Sequence, residues 1–106
     1  MSSFKERQEA FEKEFAHGEH LKFKAGARRN KLLGLWVAEK LGIAGAQADT
    51  YASEIVAAEV HGGEAGVIDK VTADLKNKGI TSSPAEIKAK MNDLMKIAIE
   101  QVKTGT

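Results

Sequence analysis

The chain has 106 residues, 42% of them apolar and 29% charged, with a formal net charge of +1 and no cysteine. These totals describe one globular domain with a modest core. They exclude a disulfide scaffold and thiolate chemistry, and the near-balanced charge argues against a molecule built as a whole to bind polyanions. No apolar run approaches the roughly 20 residues of a membrane span, and the charged start, Met1 to Arg7, lacks the hydrophobic stretch of a secretory signal. The expected location is the cytoplasm.

Residues 3–16 are predicted to form a charged helical segment. Phe4, Phe11 and Phe15 fall seven and four apart on one stripe, and no Leu, Ile or Val occurs before Leu21. An isolated helix of this length is marginal in water, and His17-Gly18 interrupts it. A second helix is expected over 21–41, where Leu33, Val37 and Leu41 lie four apart, Leu32 and Trp36 line a neighbouring row, and Gly42 fits the position after the helix end. A third, over 46–60, takes Ala48, Tyr51, Ala52, Ile55 and Val56 inward and is broken by Gly62-Gly63. A fourth, over 65–77, takes Val67, Ile68, Val71 and Leu75 inward and stops at Gly79. The last helix has the clearest start: Ser83 as N-cap, Pro84 at the first helical position and Glu86 completing a capping box. Ile87, Met91, Leu94, Met95, Ala98 and Val102 then form its inward stripe. Strand signals are absent. Short connections between helices predict an all-α, up-and-down four-helix bundle over 20–106, preceded by a mobile or loosely packed N-terminal helical arm over 1–19. Trp36, the single tryptophan, is expected to be largely buried.

Candidate chemistry is sparse. No Gly-x-Ser-x-Gly elbow occurs, so no catalytic residue is assigned and no enzyme activity is expected. His17 and His20 are three apart but no third ligand is placed, so no metal site is expected. The distinctive stretch is Phe23 to Trp36 and its approach. Lys22, Lys24, Arg28, Arg29 and Lys31 put five cations within ten residues, and no acid occurs from Leu21 to Ala38. Such a cluster is most simply a solvated helix face. It also suits phosphate, which arginine binds bidentately, or an acidic protein patch, including this chain's own first segment with four acids before residue 15. The phenylalanine stripe either docks on the bundle or enters a groove on another protein, as spaced apolar anchors do.

Phe15-Ala16-His17, Leu21-Lys22-Phe23-Lys24 and the string Ala27-Arg28-Arg29-Asn30-Lys31-Leu32-Leu33-Gly34-Leu35-Trp36 resemble the zeta-subunit family, the small inhibitors of the F1F0 ATP synthase in alphaproteobacteria. The likeness continues more loosely through Asp74-Leu75 and Ile87 to Met91. It departs at Gly18, His20 and Gly26, where family members commonly carry acids. The resemblance implies a four-helix bundle whose N-terminal arm inserts into the F1 head at a catalytic α/β interface beside the rotor and blocks ATP hydrolysis. Phe4, Lys5, Glu6, Arg7, Glu9, Phe11, Glu12 and Phe15 would then contact F1. The implied partners are the F1 alpha, beta and gamma subunits, met at the cytoplasmic face of the inner membrane by a chain that is monomeric when free. No nucleic acid, membrane insertion or cofactor is expected. The alternative is a small nucleotide-binding or regulatory module that holds ATP or ADP weakly through Lys22, Lys24, Arg28 and Arg29.

Overall fold

A computed structural model describes residues 19–105, and these fold into helices α1 (Glu19–Leu41), α2 (Gly45–Asn77) and α3 (Pro84–Thr104) with no strand among them. The first predicted segment, 3–16, lies outside the described residues. Each end that the sequence marks is made by local chemistry. Past α1, the Ile43 N–H donates to the Ala38 carbonyl at 3.0 Å and the Gly42 N–H to that of Glu39 at 3.2 Å; past α2, Ile80 and Gly79 repeat the pattern on Leu75 and Lys76. Both are Schellman closures, and each places an isoleucine against the core. At α3, the Ser83 hydroxyl accepts from the Glu86 N–H at 3.1 Å, while the Glu86 carboxylate accepts from the Ser83 N–H at 3.3 Å. This is the expected capping box, with Pro84 in the first turn.

The second span is not a straight helix. The span 45–77 is continuous in outline but is broken at Gly63, whose φ and ψ are not helical, so it consists of two helical limbs that correspond to the expected segments 46–60 and 65–77. The Tyr51 hydroxyl donates to Asp74 at 2.8 Å across 23 residues of sequence, a distance that a straight helix would stretch to about 35 Å. The Lys70 ammonium likewise reaches Glu54 at 3.4 Å. The two limbs of α2 therefore lie back to back. Gly63 makes the reversal at φ 66° and ψ −164°, a combination that a Cβ excludes.

α1 is the central element. It packs against both α2 and α3, which touch each other only slightly. Leu33, Val37, Ile55, Val67, Val71, Leu75, Ile87 and Met91 are fully buried and form one core with Ala38, Ala48, Tyr51 and Leu94. The closest approach is at Gly34, where a β-carbon would lie 2.5 Å from the Ala52 Cα. Only glycine lets the α1 and α2 backbones meet there. Trp36 is half-buried rather than largely buried. Its indole packs against the core on one side, and the ammonium groups of Lys40 and Lys90 sit 4.7 and 5.1 Å from the ring centroid. A surface ring between two cations keeps part of its face toward solvent.

Candidate functional site

The basic run occupies the first half of α1, and the helix divides it. Successive residues turn by about 100° on a helix, so five cations in ten residues cannot share one face. Lys22, Lys24 and Lys31 are exposed. Arg28 is half-buried and donates to the Gln101 side-chain carbonyl of α3 at 3.1 Å. Arg29 points inward and is 8% exposed. Its guanidinium donates to Glu59 at 2.9 Å and to the side-chain oxygen of Asn30 at 3.2 Å. Asn30, 1% exposed, in turn donates its amide to the same Glu59 carboxylate. Of the four cations expected to act together on a phosphate, Lys24 and Arg28 line one surface pocket with Lys31, beside Val56 and Val102; Lys22 lines a neighbouring groove, and Arg29 belongs to a buried polar cluster with α2.

Glu59 was not singled out in the sequence, although a signal was present. Ala48, Ala52, Ile55 and Glu59 follow the 4-3-4 spacing of one helix face, and Gly26, Asn30, Leu33 and Val37 do the same in α1. A polar residue on each of two apolar stripes is what a buried hydrogen-bonded pair looks like before it is folded.

Above this cluster, between α1 and the first limb of α2, lies a groove of about 200 Å³ lined by Lys22, Phe23, Gly26, Ala27, Asn30, Val56, Glu59 and Val60. Its polar floor is already hydrogen-bonded, so its free surface is apolar with a lysine rim. A second polar cluster lies where the limbs of α2 converge: Tyr51, Glu54, Lys70 and Asp74, beside Leu41, Asn77 and Lys78. Lys70 also reaches Asp74 at 3.1 Å and stands 5.4 Å from the Tyr51 ring centroid. Burial, together with the hydrogen bond to Asp74 and the nearby carboxylates, pushes the Tyr51 phenol far above its ordinary value. For Lys70, burial acts to lower the ammonium's pKa, but Asp74 and Glu54 outweigh it and the net direction is up. Both groups favour their protonated forms in the folded state. Their contribution to stability is complete below the ordinary tyrosine and lysine values of 10.0 and 10.5 and is lost as pH rises beyond them. Tyr51 is the single tyrosine, so tyrosinate absorbance reports it alone. It should stay silent above pH 10 until the chain unfolds. A phenol that ionises near pH 10 in the folded protein would contradict the Asp74 bond.

Among the described residues no group of three metal-ligating side chains converges, and no helix is long and apolar enough to cross a membrane. Phe4, Lys5, Glu6, Arg7, Glu9, Phe11, Glu12 and Phe15 lie outside the described residues. In comparisons with known proteins, the family described as ATPase inhibitor subunit zeta matches residues 1–101. No curated protein shows a significant match.

Proposed function

Since the chain belongs to the ATPase inhibitor subunit zeta family, we propose that it restrains ATP hydrolysis by an F1-ATPase through protein–protein contact, with residues 1–19 as the inserting arm and the helical body over 20–106 held outside. The observation that carries this is the extent of the family match, which spans the arm and nearly all of the helical body. The arm enters a catalytic α/β interface beside the rotor. Its ordering costs chain entropy. Burial of Phe4, Phe11 and Phe15 offsets this by about 1.5–3 kcal/mol for each ring that is fully enclosed. Lys5, Glu6, Arg7, Glu9 and Glu12 set its register on the opposite side. The protein acts at the cytoplasmic face of the inner membrane as a non-catalytic regulator and is a monomer when free. The nucleotide-module alternative has less support, because Arg29 is committed to Glu59 and Lys22 lines a separate groove, so only Lys24 and Arg28 of its four cations share a pocket, with Lys31.

The test is a hydrolysis assay on F1 from the same source, with and without the chain. The parent should inhibit, and Phe11→Ala and Phe15→Ala should each weaken inhibition at least tenfold, as loss of a buried anchor does, with an unchanged melting temperature. Variants that inhibit like the parent would remove the aromatic stripe from the mechanism. A parent that does not inhibit would remove the function itself.

A further inference from the structure

The two limbs of α2 are separated by a single residue. Gly63 alone departs from helical angles within Gly45–Asn77, whereas a hairpin of helices ordinarily has a loop of about two to five residues. The bend is not clamped by packing. Gly62 and Gly63 are exposed, and a β-carbon at Gly63 would meet no atom within 4 Å. The Glu64–Lys88 ion pair beside it lies wholly on its C-terminal side and so does not hold it shut. We propose that Gly63 is an exchange hinge: when it takes helical angles, α2 becomes one rod, and two copies of the chain swap the segment 64–105 to form a two-fold dimer.

Register selects a second copy of this chain as the partner. Tyr51 meets Asp74, Glu54 meets Lys70, and a β-carbon at Gly66 would lie 3.2 Å from the Ala58 carbonyl oxygen. The midpoint of each pair falls at residue 62 or between 62 and 63. Two straight antiparallel copies of α2 that cross at this point set the same residues opposite each other, with the Tyr51 of each chain against the Asp74 of the other. Such a contact is isologous, the form that a two-fold axis requires. The core leads to the same partner. Leu33, Val37 and Ile55 precede the hinge, Val67, Val71, Leu75, Ile87 and Met91 follow it, and all are fully buried in one cluster. Each side therefore folds on the other, and the other can come from the same chain or from a second copy. Exchange keeps these contacts and changes only the hinge. A continuous helix, about 50 Å long for 33 residues, bonds the carbonyls that end the first limb to the N–H groups that open the second. Against this stands the freedom lost when two chains associate, so the closed monomer is the resting form and the dimer grows with concentration. A short hinge between complementary halves is the setting in which such exchange occurs.

The test mixes the full chain in ordinary and heavy-nitrogen forms, unfolds both in urea and refolds them together. A carbodiimide then joins Glu54 to Lys70, which stand 3.4 Å apart, and mass spectrometry reads the isotopes of the joined peptide. A closed chain gives only same-isotope peptides, whereas a swapped dimer also gives mixed ones. Gly63→Ala closes the bent conformation to residue 63 and leaves the helical one open. Each dimer then relieves two strained hinges, so light scattering across a concentration series should show a dimer dissociation constant at least tenfold lower than the parent's. Its Glu54–Lys70 peptides should include mixed ones. Inserting Gly-Ser-Gly after Gly63 relaxes the turn and should leave a monomer with same-isotope peptides only. A folded Gly63→Ala chain that stays monomeric overturns the proposal, as does a dimer whose Glu54–Lys70 peptides are all same-isotope. Should the alanine variant not fold, the parent decides: after refolding at millimolar concentration, mixed peptides uphold the hinge and their absence overturns it.

Discussion

Glu59→Ala should destabilise the protein by about 3–5 kcal/mol, the cost of breaking a buried ion pair by removing one partner. The reason is what remains behind. The Arg29 side chain is 10% exposed and Glu59 is the acid it meets, at 2.9 Å. Without that carboxylate, a guanidinium stays enclosed between α1 and α2, and the amide of Asn30, itself 1% exposed, loses its acceptor. The Glu59 side chain is 35% exposed, so water can enter from its side, and the lower end of the range is the expected value. Replacing the pair together, Arg29→Met with Glu59→Leu, should recover only part of the loss: no charge is stranded, but the buried Asn30 amide, which hydrogen-bonds both partners, is left without them. Urea denaturation of the two singles and the double measures all three. A single-variant loss below about 1 kcal/mol, the range of exposed pairs, would mean that the cluster is solvated and that Arg29 is available to a ligand after all.

Gly34→Val should cost about 3 kcal/mol, the upper end of ordinary overpacking. A β-carbon at Gly34 faces the Ala52 Cα at 2.5 Å, the Ala52 Cβ at 3.1 Å and the Ala52 nitrogen at 3.3 Å. Two of these are backbone atoms and cannot rotate aside, so α1 and α2 must separate. Gly34→Ala is the sharper comparison. In an exposed helix interior, replacing glycine with alanine stabilises by about 1 kcal/mol; here the change should destabilise despite that gain. An alanine variant that melts at or above the parent's temperature would show that the crossing is loose. Because Ala52 lies on the same limb of α2 as Glu59, both substitutions load one helix–helix contact, and their combination should not be additive.

What could be read from the sequence was local. The capping box at Ser83, the glycines past α1 and α2, and the inward stripes of all three helices depend on residues within a turn or two of each other, and they stand as expected. The break at Gly62-Gly63 was visible, but its geometry was not. A glycine pair signals that a helix is interrupted, while the direction in which it resumes is set by Tyr51, Glu54, Lys70 and Asp74 closing across the bend. The site was harder still. Charge alone placed Arg28 and Arg29 with the lysines on a solvated face, because the partners that turn them inward, Gln101 and Glu59, lie 73 and 30 residues away. Trp36 followed the same logic. Apolar spacing predicted burial, and Lys40 and Lys90 over the ring supplied an alternative to it. The groove could not be seen in the sequence, since it needs Phe23, embedded among cations, to face Val60 at the edge of a predicted break.

The central place of α1 also has a mechanical meaning. The chain enters α1 at Glu19, and α1 is clasped by α2 on one side and α3 on the other. Tension applied through that entry draws α1 along its own axis, so Leu33 and Val37 must slide past both neighbours at once, and the contacts resist in parallel. A pull that lifts α3 sideways meets α1 with little help from α2, and contacts then yield one after another. Resistance to force is set by the unfolding rate along the pulled direction rather than by equilibrium stability. The same 21-residue α3 therefore contributes to a firm hold when the strain arrives from the N-terminal side, and it is the first part to give way when the strain arrives from its own end.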